Sequence, residues 1–166
     1  MENTRNLKVL LVADGSGGHL IPALQVAGQL QQEGVQVKLW YAGRPQVAPL
    51  TRLLTDRLQA RSIEIDAIPV SARAGLLTRC WQSGRLWSKS RRCFDAFGPD
   101  VVIGFGGWIS APVLFAARQR GIRCLVHEQN VQLGRANRML ARWVDRVAIS
   151  FRETASSLNG TPSVWT

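Results

Sequence analysis

Cysteine is scarce in this 166-residue chain, and Cys80, Cys93 and Cys124 are odd in number and lack metal-like or redox spacing. That excludes a disulfide framework and favours a reducing compartment, the cytoplasm. No apolar run approaches the roughly 20 residues needed to cross a bilayer, and the polar start Met1-Glu2-Asn3-Thr4-Arg5-Asn6 runs straight into an apolar stretch. The expectation is a protein neither exported nor transmembrane. Acidic residues are also few, 11 against 21 basic ones, for a formal net charge of +10. Such an excess suits nucleic acid, a phosphorylated substrate or an acidic membrane surface, and charge alone does not choose among them. From Ala67 to Phe94 acid is missing altogether.

What is present is punctuated by glycine. Lys8-Val9-Leu10-Leu11 leads into Val12-Ala13-Asp14-Gly15-Ser16-Gly17-Gly18-His19-Leu20-Ile21-Pro22, which reads as a strand, a glycine loop and a helix start. Three glycines in four positions permit positive φ and leave backbone N–H groups uncovered, and Pro22 suits a first helical turn. Backbone donors and the positive end of the helix dipole then converge on one point, a place for an anion. Glycine-rich turns also serve simply to fold a helix back onto its strand.

Ala23, Leu24, Val26, Ala27 and Leu30 continue at helical spacing to a stop at Gly34. Residues 35–41 and 63–68 alternate as strands, with a helix expected over 47–58 between them. In the acid-free segment, Arg73, Arg79, Arg85, Lys89, Arg91 and Arg92 interleave with Leu76, Leu77, Trp81, Leu86 and Trp87. Leu77, Trp81, Gly84, Trp87 and Phe94 approximate one helical stripe. Such a helix fits either a core element with a solvated basic back or an anchor on an anionic membrane surface, for which Leu76, Leu77, Arg79, Trp81, Arg85, Trp87 and Lys89 are the candidate residues.

A strand over 100–105 meets a second glycine loop, Gly106-Gly107-Trp108-Ile109-Ser110-Ala111-Pro112, and a helix to Arg120. A strand over 122–126 ends in His127-Glu128-Gln129-Asn130, a helix is expected over 134–143 and a last strand over 146–150. This alternation predicts a doubly wound α/β domain with a parallel sheet, its two glycine loops and polar tetrad sharing one cleft at the strand ends. A dinucleotide fingerprint is not met: Leu20 stands where a third glycine belongs, and no acidic residue closes the second strand at Tyr41-Ala42-Gly43-Arg44. A Walker loop is absent too, since no Gly-Lys-Ser/Thr follows the glycines, and no recognised nucleic-acid motif appears, so a nucleic-acid partner is not expected.

The loop Asp14 to His19, the stretch Gly104-Phe105-Gly106-Gly107-Trp108-Ile109-Ser110-Ala111-Pro112, and His127-Glu128-Gln129-Asn130 with the later Gly134 and Asn137 together resemble the MurG family of lipid I N-acetylglucosaminyltransferases, glycosyltransferase family 28. The resemblance implies the Rossmann-like N-terminal half of a GT-B enzyme: residues 1–150 as the acceptor-side domain and 151–166 as the start of a connection toward a C-terminal donor domain. It implies inverting transfer of N-acetylglucosamine from UDP-N-acetylglucosamine to the C4 hydroxyl of the muramoyl sugar of lipid I, a polyprenyl diphosphate acceptor, with no cofactor and no metal. His19 is the candidate base, with hydrogen bonding to a phosphate or sugar as its alternative role. Glu128 is either a second acid/base group or an orienting one, and His127 is expected to be structural. Ser16, Gly17, Gly18 and Asn130 would complete the donor site. Gly15, Gly18, Gly106, Gly107 and Ser110 would receive the acceptor diphosphate. The implied location is peripheral, on the cytoplasmic face of a bacterial inner membrane.

The alternative is a non-catalytic anchoring subunit of a two-chain transferase acting on another polyprenyl diphosphate sugar. Departures from the family pattern are Asp14 in place of glycine, Trp108 and Ala111 in place of tyrosine and glycine, and the lack of an arginine after Gly160-Thr161-Pro162-Ser163-Val164, the expected transition to a second domain.

Overall fold

A computed structural model describes residues 7–43, 56, 63–70, 75–158 and 160–166. Seven parallel strands form one sheet in the order β3-β2-β1-β4-β5-β6-β7. They are β1 (Lys8–Ala13), β2 (Gln36–Gly43), β3 (Glu64–Pro69), β4 (Val101–Gly104), β5 (Arg123–Glu128), β6 (Arg146–Ile149) and β7 (Ser163–Trp165). The helices are α1 (Gly17–Gln32), α2 (Leu76–Phe97), α3 (Ser110–Gln119) and α4 (Arg135–Leu140), with a 3-10 turn over Arg152–Ser157. The expected doubly wound α/β fold is the one observed. The helix expected over 47–58 falls, Asp56 apart, outside the described residues.

β1 lies at the centre, pairing Leu10 with Lys38 on one side and with Val102 on the other. Its side chains alternate between two cores, as a strand buried on both faces requires. Leu10 and Val12 point with Trp40, Val102 and Val126 toward α2 and α3, where Leu86, Phe94, Val113 and Leu114 cover them. Val9, Leu11 and Ala13 join Leu39 and the Leu20, Ala23, Leu24 and Ala27 face of α1.

Two expectations need correction. Pro22 is not in the first turn of α1: the Ser16 carbonyl already accepts from the N–H groups of His19 (3.1 Å) and Leu20 (2.9 Å), so the helix starts at Gly17 and carries Pro22 inside it. Gly17 and Gly18 are therefore helical, and the left-handed freedom expected of the first loop is used in the second, with φ of 94° at Gly106 and 79° at Gly107. The helix over 134–143 is shorter, because Gly134 only caps it and the chain leaves the helix after Leu140. The stretch from Gly160 runs into β7, where Ser163–Trp165 pairs with β6, Val147 opposite Ser163 and Ile149 opposite Trp165.

Candidate functional site

In this strand order the chain reverses direction of winding between β1 and β4, and ligands of open α/β sheets bind at the carboxyl ends of strands flanking such a point. Both glycine loops are there. Phe105 N–H donates to the Val12 carbonyl at 2.8 Å and ties the two loops together. No side chain caps α1; instead Ser16 Oγ and His19 Nδ1 lie 2.6 Å apart, so the residue best placed to cap the helix holds the imidazole. A side chain at Gly18 would meet open space, which leaves bare backbone on that wall.

The second loop fits against the first at van der Waals range. A Cβ built on Gly106 would fall 2.7 Å from His19 Cδ2 and 2.8 Å from its Nε2, and one on Gly107 would fall 2.5 Å from Asp14 Cβ. Glycine is required at both positions by conformation and by space. Asp14 is buried, with Oδ1 accepting from Ser16 N–H at 3.3 Å. Ser110, expected to touch the acceptor diphosphate, is fully buried; its hydroxyl lies 2.8 Å from the Gly106 carbonyl, to which it donates. It braces the second loop from within.

At the end of β5, Glu128 is 1% exposed and both carboxylate oxygens are occupied. Oε1 accepts from the backbone N–H and side-chain Nδ2 of Asn130, both at 3.0 Å; Oε2 accepts from Gly134 N–H at 2.8 Å and Asn137 Nδ2 at 3.0 Å. Of the two roles open to Glu128, this geometry is that of an orienting group. It fixes Asn130 at the mouth and pins Asn137, whose Nδ2 also reaches the His127 carbonyl and sits 3.7 Å from the Cβ position of Gly106. The tetrad and the glycine loops are thus one constellation. His127 is buried against Phe105, ring centroids 5.1 Å apart. Burial pushes its pKa down, opposed by the charge of Glu128.

Sequence reasoning missed Thr154. Its hydroxyl is fully buried and engages the carbonyls of Asn130 (3.1 Å) and Val131 (2.9 Å), holding the loop after β5. A threonine in a short polar turn carries no signal for this.

The basic helix has two parts. Leu86, Ser90 and Phe94 face the core, whereas Leu76, Leu77 and Trp81 are 79%, 87% and 61% exposed. The expected stripe is corrected accordingly: Leu77 and Trp81 leave the core, and Trp87 is half-buried with Nε1 donating to Gln119 at 3.0 Å. Between α2, α3 and α4 lies an apolar groove of about 600 Å³, lined by Trp87, Phe115, Met139 and Trp143 among others. Phe115, Met139 and Trp143 are exposed and were not anticipated. Among the described residues no helix is long and apolar enough to cross a membrane.

The profile of the glycosyltransferase family 28 N-terminal domain matches residues 9–149. The chain is 33% identical over 147 residues to a UDP-N-acetylglucosamine–N-acetylmuramyl-(pentapeptide) pyrophosphoryl-undecaprenol N-acetylglucosamine transferase of Halothermothrix orenii, covering 89% of this chain and 39% of that one. It is 39% identical over 151 residues to the transferase of the same name from Novosphingobium aromaticivorans, covering 87% and 36%. The crystal structure of Acinetobacter baumannii MurG superposes with a TM-score of 0.78 at 32% identity, over 96% of this chain and 45% of that one. The chain thus spans about 40% of the length of the curated relatives it matches. With the two glycine loops, the switch-point cleft and the Glu128 hub in place, the chain belongs to glycosyltransferase family 28, whose N-terminal domain it carries.

Proposed function

We propose that this chain is the acceptor-side half of a lipid I N-acetylglucosaminyltransferase, acting with a donor half that holds most of UDP-N-acetylglucosamine. The observation that carries this reading is His19, gripped by Ser16 and seated on Gly106 at the topological switch point. A base there takes the proton of the acceptor's C4 hydroxyl as that oxygen attacks C1 of the donor sugar and UDP leaves. The role fixes the tautomer: Nδ1–H donates to Ser16 Oγ, which leaves Nε2 as the proton acceptor. Ser16, Gly17, Gly18 and Asn130 border the donor's side of the cleft, the glycines offering backbone N–H groups at a helix start. Glu128 acts through Asn130 and Asn137 by position.

The exposed Leu76, Leu77 and Trp81, flanked by Arg79 and Arg85, support peripheral attachment to an anionic membrane, with the apolar groove beside them extending the same face. On this reading the cleft faces the surface from which a lipid-linked acceptor would be drawn, the cytoplasmic leaflet of a bacterial membrane.

The test is transfer to a lipid I analogue. Residues 1–166 alone are expected to give none, and the same residues joined to the C-terminal domain of a family relative are expected to give turnover that His19→Ala lowers about 100-fold or more. Turnover by the chain alone would overturn the need for a donor half. Unchanged turnover in His19→Ala would overturn the base.

A further inference from the structure

The glycine loops supply backbone donors. A diphosphate needs positive charge nearby, and the structure gathers it next door. Between the end of β3, one face of α2 and Trp108 lies a cavity of about 1060 Å³. Arg85, Lys89 and Arg92 line it together with Trp81, Trp108 and Gln82, and among the described residues no acidic one does.

The three cations stand at i, i+4 and i+7 of α2, one helical stripe, so they repel one another until an anion lies between them. Two are already steered by aromatic rings: the Arg85 guanidinium lies 4.7 Å from the Trp81 ring centroid and Lys89 Nζ lies 4.8 Å from that of Trp40. Concave walls of low polarity around like charges concentrate the potential and draw in a counter-ion. Ile68, Pro69, Val70 and the two tryptophans provide apolar surface for the chain attached to it.

We propose that this cavity holds the diphosphate of the prenyl-linked acceptor. The inference rests on the function proposed above and refines where the acceptor sits. Trp108 joins the two sites: it follows Gly106 and Gly107 directly and lines the cavity, which therefore opens beside the wall on which His19 rests. A diphosphate among Arg85, Lys89 and Arg92 leaves the glycine loops to meet the sugar to which it is joined.

The experiment is calorimetric titration of residues 1–166 with farnesyl diphosphate and with inorganic pyrophosphate, and separately co-sedimentation with phosphatidylglycerol vesicles. Both soluble ligands are expected to bind and to compete. Lys89→Gln is expected to weaken both about tenfold, and the Arg85→Gln, Lys89→Gln, Arg92→Gln triple variant by about 100-fold or more. Arg123→Gln, an exposed cation at the amino-terminal end of β5 and so at the opposite end of the sheet, is expected to leave them unchanged. Circular dichroism confirms that each variant is folded. Farnesyl diphosphate binding untouched by the triple variant would overturn the proposal, and loss of vesicle binding alone would give the three cations to a lipid surface. Because these titrations need no donor half, they fail or succeed independently of the transfer assay above.

Discussion

Glu128 is a buried charge held by four N–H donors, the arrangement in which a carboxylate is most worth keeping and most costly to disturb. Glu128→Gln keeps one acceptor oxygen and turns an NH₂ group toward two other donors, so it is expected to cost about 2–4 kcal/mol of stability, measured by urea unfolding. A loss under 0.5 kcal/mol would show that the hub is not a stability element. Gly106 is constrained differently. Gly106→Ala must adopt a left-handed φ and move the His19 imbedding wall at once, so about 1–3 kcal/mol is expected together with loss of transfer in the joined enzyme. Equal activity would mean His19 does not need that seat. His127 gives a pH signature. Burial holds its folded pKa below the ordinary value of 6.5, so the unfolded chain takes up a proton first as pH falls. Stability therefore declines from about pH 6.5 down through the folded value, and His127→Phe is expected to flatten that limb. Parallel urea midpoints for the two proteins between pH 7.5 and 5 would refute the assignment.

At the scale of elements, α2 divides its work along its length, with a carboxyl-terminal half that packs on the sheet and an amino-terminal half that leaves it. Vesicle co-sedimentation separates the two: Leu76→Ser with Leu77→Ser and Trp81→Ala is expected to reduce binding to phosphatidylglycerol vesicles at least fivefold, each exposed side chain offering up to about 1.5–3 kcal/mol of burial. Trp87→Phe, which loses the bond to Gln119, is expected to lower stability more than binding. The reverse order would return Trp87 to the membrane face. The sequence showed the helix plainly and its orientation poorly, because Ser90 is buried with its hydroxyl turned onto the Leu86 carbonyl at 2.7 Å and so hides the core stripe Leu86-Ser90-Phe94 from a hydropathy pattern. The central strands were legible because β1, β2 and β4 are buried by alternation on both faces. β7 was not, since Ser163, Val164 and Trp165 are all exposed and its pairing with β6 is a fact of the whole sheet. For the site, the glycine loops and the tetrad were visible as motifs, yet the role of Glu128 depends on donors 2, 6 and 9 residues onward that only the turn after β5 brings back.

The whole molecule sets its cleft, its cationic cavity and its exposed apolar helix end on related sides of one sheet, and its net charge of +10 acts on all three. Long-range attraction and apolar insertion respond differently to salt. The attraction of exposed Lys and Arg for an anionic surface is worth at most about 1 kcal/mol each and fades beyond a Debye length, which shrinks from about 10 Å at 0.1 M salt to about 3 Å at 1 M. Burial of Leu76, Leu77 and Trp81 is not weakened by that screening. Vesicle binding by residues 1–166 is therefore expected to fall steeply over this range to a residual level, and the variant lacking the three apolar side chains is expected to lose the residue and keep the slope. Neutral phosphatidylcholine vesicles should show the residual level at every salt concentration. Binding that is equally strong on neutral and anionic vesicles at low salt would remove charge from the mechanism of attachment and leave the cations of α2 to the cavity alone.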